Sequence, residues 1–290
     1  MYFGAHVGRS GGLAAAFRKG AAIGAETVQL FTQSPRAWRP NPHGPEAVAE
    51  YLQARREHPA VRSSFCHATY LINLAATDPT VGERSRDCLA HNLAVAGSIA
   101  ADGLVLHLGS HLGAGLDACV KEVAGALLDA LDALERPCRV LLENTAGGGG
   151  TIGRTFDELA AVLEAAGGDP RLGVCLDTQH LWASGVDFSS VDKADRVVAD
   201  FDATVGLDRL DCIHLNDSKV PFGSQRDRHD NLGQGTIGAG GLAPMLGHPR
   251  LQGLPVLLEV AGPEGKGPTR ADLATARRIH RVGLRRWAAG

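Results

Sequence analysis

The chain has 290 residues, 44% apolar and 21% charged, with a formal net charge of −3. Those proportions exclude a disordered chain and a membrane-embedded one, and the length suits one hydrophobic core, so a single domain over residues 1–290 is expected. Aromatic content of only 5% leaves most of the packing to leucine, valine, isoleucine and alanine.

Short β-prone runs recur at 2–6, 27–31, 61–66, 104–108, 139–143, 172–176, 210–215 and 255–260. The opening MYFGAHVGRSGG has neither a charged leader nor an apolar signal core, so a cytoplasmic location without membrane contact is expected. SGGLAAAFRKGAAIGA follows the first run, GPEAVAEYLQARREHP the second and VGERSRDCLAHNLAVAGSIAA the third, all helix-forming. After the fourth, Leu116, Val120, Val123, Leu127, Leu131 and Leu134 recur three or four apart, a helical face that would cover a sheet. TFDELAAVLEAAGG and VDKADRVVADFDATVG continue the alternation. Strands alternating with covering helices imply α/β, and eight units in this length match a closed (β/α)8 TIM barrel. An open doubly wound sheet is the alternative; it would normally carry a glycine-rich phosphate loop near its first strand, and none occurs. Gly147 to Gly150 have no lysine after them and read as a flexible loop. Residues 216–240 and 261–269 are irregular, and a structureless stretch of about twenty residues in a compact domain calls for a functional reason. The six cysteines show no CxxC spacing and read as buried thiols.

His67, His107, Glu143, Asp177, His214 and Glu259 fall at the ends of the third to eighth runs. In a barrel, residues at the C-terminal strand ends share one rim whatever their separation in sequence. Asp177 and His180 are three apart across a strand end, while Asp227 and His229 lie in the long loop with side chains able to face one ion. Several carboxylates confined to one rim repel each other unless cations are present, so a metal site follows. Imidazole and carboxylate without thiolate favour zinc, manganese or iron over magnesium or calcium. Nine ligands suffice for three ions, and clustered ions suit hydrolysis of a phosphate ester. Three divalent ions would also turn the net charge of −3 positive, so mild acidity does not exclude DNA.

At these residues the chain resembles the endonuclease IV family of zinc-dependent apurinic/apyrimidinic endonucleases. The resemblance runs through GAHVGRSGGL at 4–13, FTQSPRAW at 31–38, HATYLINLA at 67–75, HLGSHLG at 107–113, LLENTAGGG at 141–149, GVCLDTQH at 173–180 and HLNDSKVPFGSQRDRHDNLGQGTIG at 214–238. It implies three Zn2+ per chain: one on His67, His107 and a bridging Glu143, one completed by Asp177, His214 and Glu259, and one on His180, Asp227 and His229. It implies incision of double-stranded DNA on the 5′ side of an abasic site, leaving 3′-hydroxyl and 5′-deoxyribose phosphate ends, and removal of blocked 3′ ends. The implied nucleophile is a metal-held hydroxide that Glu143 orients. Arg36, Tyr70 and Leu71 look like residues that enter the duplex at the lesion, with capping of the barrel as the structural alternative for Tyr70 and Leu71. Lys219, Arg226 and Arg228 look like phosphate contacts, with Gln33 and Trp38 as weaker DNA candidates, Trp38 equally suiting a core cap. Asn144 and His111 are expected to orient ligands. A monomer is expected.

The chain departs from the family in having Leu108, not proline, after His107, and in lacking a proline close after Glu259. Neither departure removes a ligand; the second leaves the 261–269 loop open. Two competing readings remain. A single-metal sugar isomerase or epimerase would need Glu143, Asp177, His214 and Glu259 but has no use for the other five ligands. A noncatalytic lesion-binding protein would explain zinc only as structural, where closed, thiolate-rich sites are usual.

Overall fold

A computed structural model describes residues 1–289. The apolar runs become short strands: β1 Tyr2–His6, β2 Thr27–Phe31, β3 Ser63–His67, β4 Gly103–Leu106, β5 Val140–Glu143, β6 Leu172–Asp177, β7 Leu210–Leu215 and, last in sequence, β10 Pro255–Leu258. They close into a barrel in the order β1-β10-β7-β6-β5-β4-β3-β2, every neighbouring pair parallel. The expected TIM barrel is therefore the observed architecture. Around it run α1 Leu13–Ile23, α2 Pro45–Glu57, α3 Pro79–Ser98, α4 Val120–Asp132, α5 Phe156–Ala165, α7 Val191–Thr204, α8 Gly238–Gly247 and α9 Arg270–Ala289. Their ends follow local chemistry: Asp78 caps α3 by accepting from the Thr80 and Val81 amides, with Pro79 opening the first turn. α4 buries Val123, Leu127 and Leu131, the centre of the expected face.

Side chains alternate across each strand, and this period of two organises the molecule. Phe65, Val105, Leu141, Cys175, Cys212 and Leu257 form a separate apolar plug, while strand neighbours such as Leu104, Leu106, Val140 and Leu142 join the core beneath the helices. Two residues beyond each plug residue comes His67, His107, Glu143, Asp177, His214 and Glu259 in turn. The same alternation that packs the barrel thus aims the ligands into its mouth.

Three elements differ from the sequence reading. A short helix, α6 Thr178–Ser184, starts at the end of β6, so His180 stands on a helical first turn. The long stretch after β7 contains an antiparallel ladder, β8 Asp217–Ser218 with β9 His229–Asp230. Gly147 to Gly150 form a packed turn: a Cβ on Gly148 would lie 2.5 Å from the Gln225 carbonyl oxygen, and one on Gly150 2.9 Å from the His111 ring. All six cysteines are free and buried. α8 and α9 meet through glycines, for a Cβ on Gly283 would stand 2.0 Å from the Ala243 carbonyl oxygen. No helix among the described residues is long and apolar enough to cross a membrane.

Candidate metal centre

Glu143 ends β5, is fully buried, and is met by four imidazoles. His67 Nε2 and His107 Nε2 each lie 3.2 Å from Glu143 Oε2, while His214 Nδ1 lies 3.0 Å and His180 Nδ1 3.4 Å from Oε1. His214 Nδ1 is also 3.2 Å from Glu259 Oε2. On the other side, His180 Nε2 and His229 Nε2 flank Asp227 at 3.4 and 3.1 Å, and His229 Nε2 is 3.8 Å from Asp177 Oδ2. All nine ligand-type residues thus meet at one mouth. Ligand atoms of His67, His107 and Glu143 lie within 4.8 Å of one another, as do those of Glu143, Asp177, His214 and Glu259, and those of Asp177, His180 and His229.

The local chemistry orients each donor. Asp177 is both the last residue of β6 and the N-cap of α6, accepting from the His180 amide at 2.9 Å. His67 Nδ1 donates to the Ala68 carbonyl at 2.8 Å and His180 Nδ1 to the Asn144 carbonyl at 2.9 Å, which leaves each Nε2 free as a donor atom. Asn144 also accepts from the Asp177 amide at 2.6 Å, the orienting role expected of it. Two residues that the sequence reading passed over do similar work at β2 and after β7. Gln29 accepts from His214 Nε2 at 2.9 Å and donates to Glu259 Oε1 at 2.7 Å, and Asn216 donates to Asp177 Oδ2 at 2.6 Å while accepting from the Glu259 amide at 3.2 Å. His6, at the end of β1, lies 3.3 Å from Glu259 Oε1. His6 ends the first run and Gln29 sits in the middle of the second, and both meet Glu259 at the mouth.

The contacts place the remaining candidates. His111 Nδ1 accepts from the Gly113 and Gly115 amides at 3.1 Å each, so it shapes its own loop and orients no ligand. Gln33 is buried and donates to the Ala37 carbonyl at 2.7 Å, which removes it as a DNA contact. Trp38 packs against the core as a cap. Arg36, Lys219, Arg226, Arg228 and Tyr70 are exposed, and Leu71 lines a cleft of about 500 Å³ with Tyr70, His107, His180 and Asp227.

The carboxylates have no lysine or arginine partner among the described residues; their ion partners are imidazoles alone. Burial would lower His214, yet Glu259 and Glu143 hold it well above its ordinary value, and Asp177 and Asp227 do the same for the buried His180. Burial would raise Glu143, yet His107 and His214 hold it well below the usual carboxylate range. His107 goes the other way, burial outweighing Glu143. The buried His229 Nε2 makes no hydrogen bond although Asp227 Oδ1 is 3.1 Å away, the arrangement two ligands of one cation adopt. The donor set fits divalent transition ions, with nitrogen and oxygen donors and no sulfur.

Along the loop that supplies Asp227 and His229, Asp217 is the anchor. Its buried carboxylate accepts from the amides of Ser218 and Gly233 at 2.8 Å and of Ile237 and Gly238 at 3.1 Å. Gly235 passes so close that a Cβ would lie 2.4 Å from the Ser218 carbonyl oxygen. In the last loop, the Gly262 amide donates to Asn231 Oδ1 at 2.9 Å, tying 261–269 to the same segment.

Comparison with known proteins agrees with this geometry. The family described as "Xylose isomerase-like TIM barrel" matches residues 17–279. A "Probable endonuclease 4" from Halorhodospira halophila is 40% identical over 272 residues, 90% of this chain and 89% of that protein. Another from Chloroflexus aggregans is 36% identical over 281 residues, 97% and 98% of the two chains. The crystal structure of endonuclease IV from Thermus thermophilus superposes with a TM-score of 0.82 at 34% identity, covering 98% of this chain and 99% of that one. A D-tagatose 3-epimerase-like protein, at 17% identity and a TM-score of 0.67, covering 98% of this chain and 97% of its own, shares the fold alone. On its ligands, its barrel and these relatives, the chain belongs to the endonuclease IV family.

Proposed function

We propose that the chain is a zinc-dependent endonuclease that hydrolyses the phosphodiester 5′ to an abasic site in double-stranded DNA, leaving 3′-hydroxyl and 5′-deoxyribose phosphate ends. The observation that carries this reading is the convergence of eight ligand-type side chains in overlapping groups at one mouth, with Glu143 in two of them, and of Asp227 beside His180 and His229 as a ninth. His67, His107 and Glu143 would hold one ion, Glu143, Asp177, His214 and Glu259 a second, and His180, Asp227 and His229 a third. When bound, such ions supply Lewis-acid stabilisation of an in-line phosphodiester displacement and make water a competent nucleophile near neutral pH. Glu143 belongs to both of the first two groups and would be shared between the ions they hold. Gln29, Asn144 and Asn216 hold the ligands in place, so the geometry is set before DNA arrives. Exposed Arg226, Arg228 and Lys219 on the β8–β9 loop would meet phosphates, and Tyr70 and Leu71 beside the cleft would fill the stack where the base is missing. An abasic nucleotide has no base to unstack, so turning it toward the mouth costs less than for an intact one.

The test is incubation of metal-loaded protein with a duplex bearing one abasic site. A single nick is expected, with a 3′ end that a polymerase extends, and prolonged chelation should abolish the cut. An intact duplex would sink the proposal. Metal analysis on the same sample separates the sugar-isomerase reading, which needs one ion on the Glu143, Asp177, His214 and Glu259 group, from the three expected here.

A further inference from the structure

Among the described residues, four that are not glycine have left-handed backbone: Ala100, Leu112, Gln225 and Glu264. Three of them stand on loops of the ligand-bearing mouth: Leu112 after β4, Gln225 between β8 and β9, and Glu264 after β10. For leucine this conformation is unfavourable and persists only where the surroundings over-determine it. Here they do. The Leu112 amide donates to Ser110 Oγ at 3.0 Å, Ser110 Oγ donates to the Gly149 carbonyl at 2.5 Å, and the His111 amide donates to the Gly150 carbonyl at 3.1 Å. His111 Nδ1 then clamps the Gly113 and Gly115 amides.

What this built turn holds up is a side chain 72% exposed, more than Tyr70, Phe222 or Leu284, the other exposed large apolar groups. Leu112 gains little packing at home to offset its strain. The loop from 108 to 116 carries no lysine, arginine, aspartate or glutamate, and its one histidine, His111, has Nδ1 engaged by the Gly113 and Gly115 amides. Ser110, two residues away, lines the same cleft as Tyr70 and Leu71, on the loop of the neighbouring strand.

We propose that Leu112 is an apolar contact to the duplex, packing on base or sugar edges beside the abasic nucleotide and extending the wall made by Tyr70 and Leu71. This rests on the reading of the chain as an abasic-site endonuclease.

The experiment measures binding of the metal-loaded full chain to an abasic duplex with an uncleavable linkage, over a salt series, for the wild type, L112G and L112N. Glycine and asparagine both accept left-handed backbone, so each keeps the turn and removes the apolar group. Expected is a Kd raised roughly five- to tenfold at every salt concentration, the order for withdrawing a partly buried leucine, with Tm unchanged or higher. The slope of log Kd against log salt stays that of the wild type, whereas R228A, removing a phosphate contact, lowers it by about one. A wild-type Kd in both variants overturns the proposal, as does a fall in Tm that accompanies the weaker binding and is reversed by L112M without restoring Kd. Wild-type protein that binds this duplex but leaves the cleavable one intact overturns the nuclease reading alone.

Discussion

Replacing Asp217 with alanine tests how the third group of ligands is held. The carboxylate accepts four backbone amides, from Ser218, Gly233, Ile237 and Gly238, at 2.8 to 3.1 Å. Hydrogen bonds to a charged group contribute about 1.5–3 kcal/mol each, so their loss as a set would amount to roughly 6–12 kcal/mol, comparable to the whole stability of an ordinary domain. The chain has a cheaper route: the segment from 219 to 237 detaches and its amides turn to water, limiting the cost to that of local opening. D217A should therefore keep its barrel and lose the order of the loop that carries Asp227 and His229. Limited trypsinolysis reads this directly, since Lys219, Arg226 and Arg228 lie in the segment. Cleavage there should accelerate at least tenfold, the factor for about 1.4 kcal/mol of local destabilisation, while circular dichroism of the barrel is retained and one ion per chain is lost. Wild-type cleavage rates with full metal content would refute the anchoring argument.

Gln29→Leu removes the partner of both His214 and Glu259, and metal retention against a competing chelator should weaken about 10–100-fold; unchanged retention would show the pair to be oriented by other groups. His229→Ala should strip one ion and suppress cleavage more than DNA binding, checked by metal content and binding on one sample. Tyr70→Ala should narrow the ratio of affinities for abasic and intact duplexes, and an unchanged ratio would leave Tyr70 a cap on Phe31 and His67, whose rings lie 5.3 and 5.5 Å away. Gly283→Ala forces a Cβ against the Ala243 carbonyl, and overpacking of about 1–3 kcal/mol should lower Tm by several degrees in a thermal melt.

The barrel was legible because buried parallel strands and amphipathic helices leave opposite hydrophobic periods, and the ligands because polar residues at the ends of apolar runs stand out. Expected strand ends moved by a residue or two, as at 104–108 against Gly103–Leu106, since leucines continue past the last ladder bond. α6 was hidden: it has seven residues, and its start is signalled only by Asp177, which also reads as a ligand. His6 and Gln29 carry no such mark in the sequence, because β1 and β2 place Gly4 and Thr27 two residues earlier, where the other strands place the plug. His111 misled for a different reason. A histidine near ligands in sequence carries no mark of whether its ring turns inward, and here glycine amides claim it.

The plug of Phe65, Val105, Leu141, Cys175, Cys212 and Leu257 has a kinetic consequence for whatever the mouth holds. It closes the barrel from below with side chains that offer a cation no hydration and no hard ligand, so there is no rear exit. Ions would enter and leave only through the face proposed to meet DNA. Dissociation of metal and dissociation of DNA then share one door, and a bound duplex should slow chelation by occupying it, even if the affinity of the ligands for their ions is unchanged.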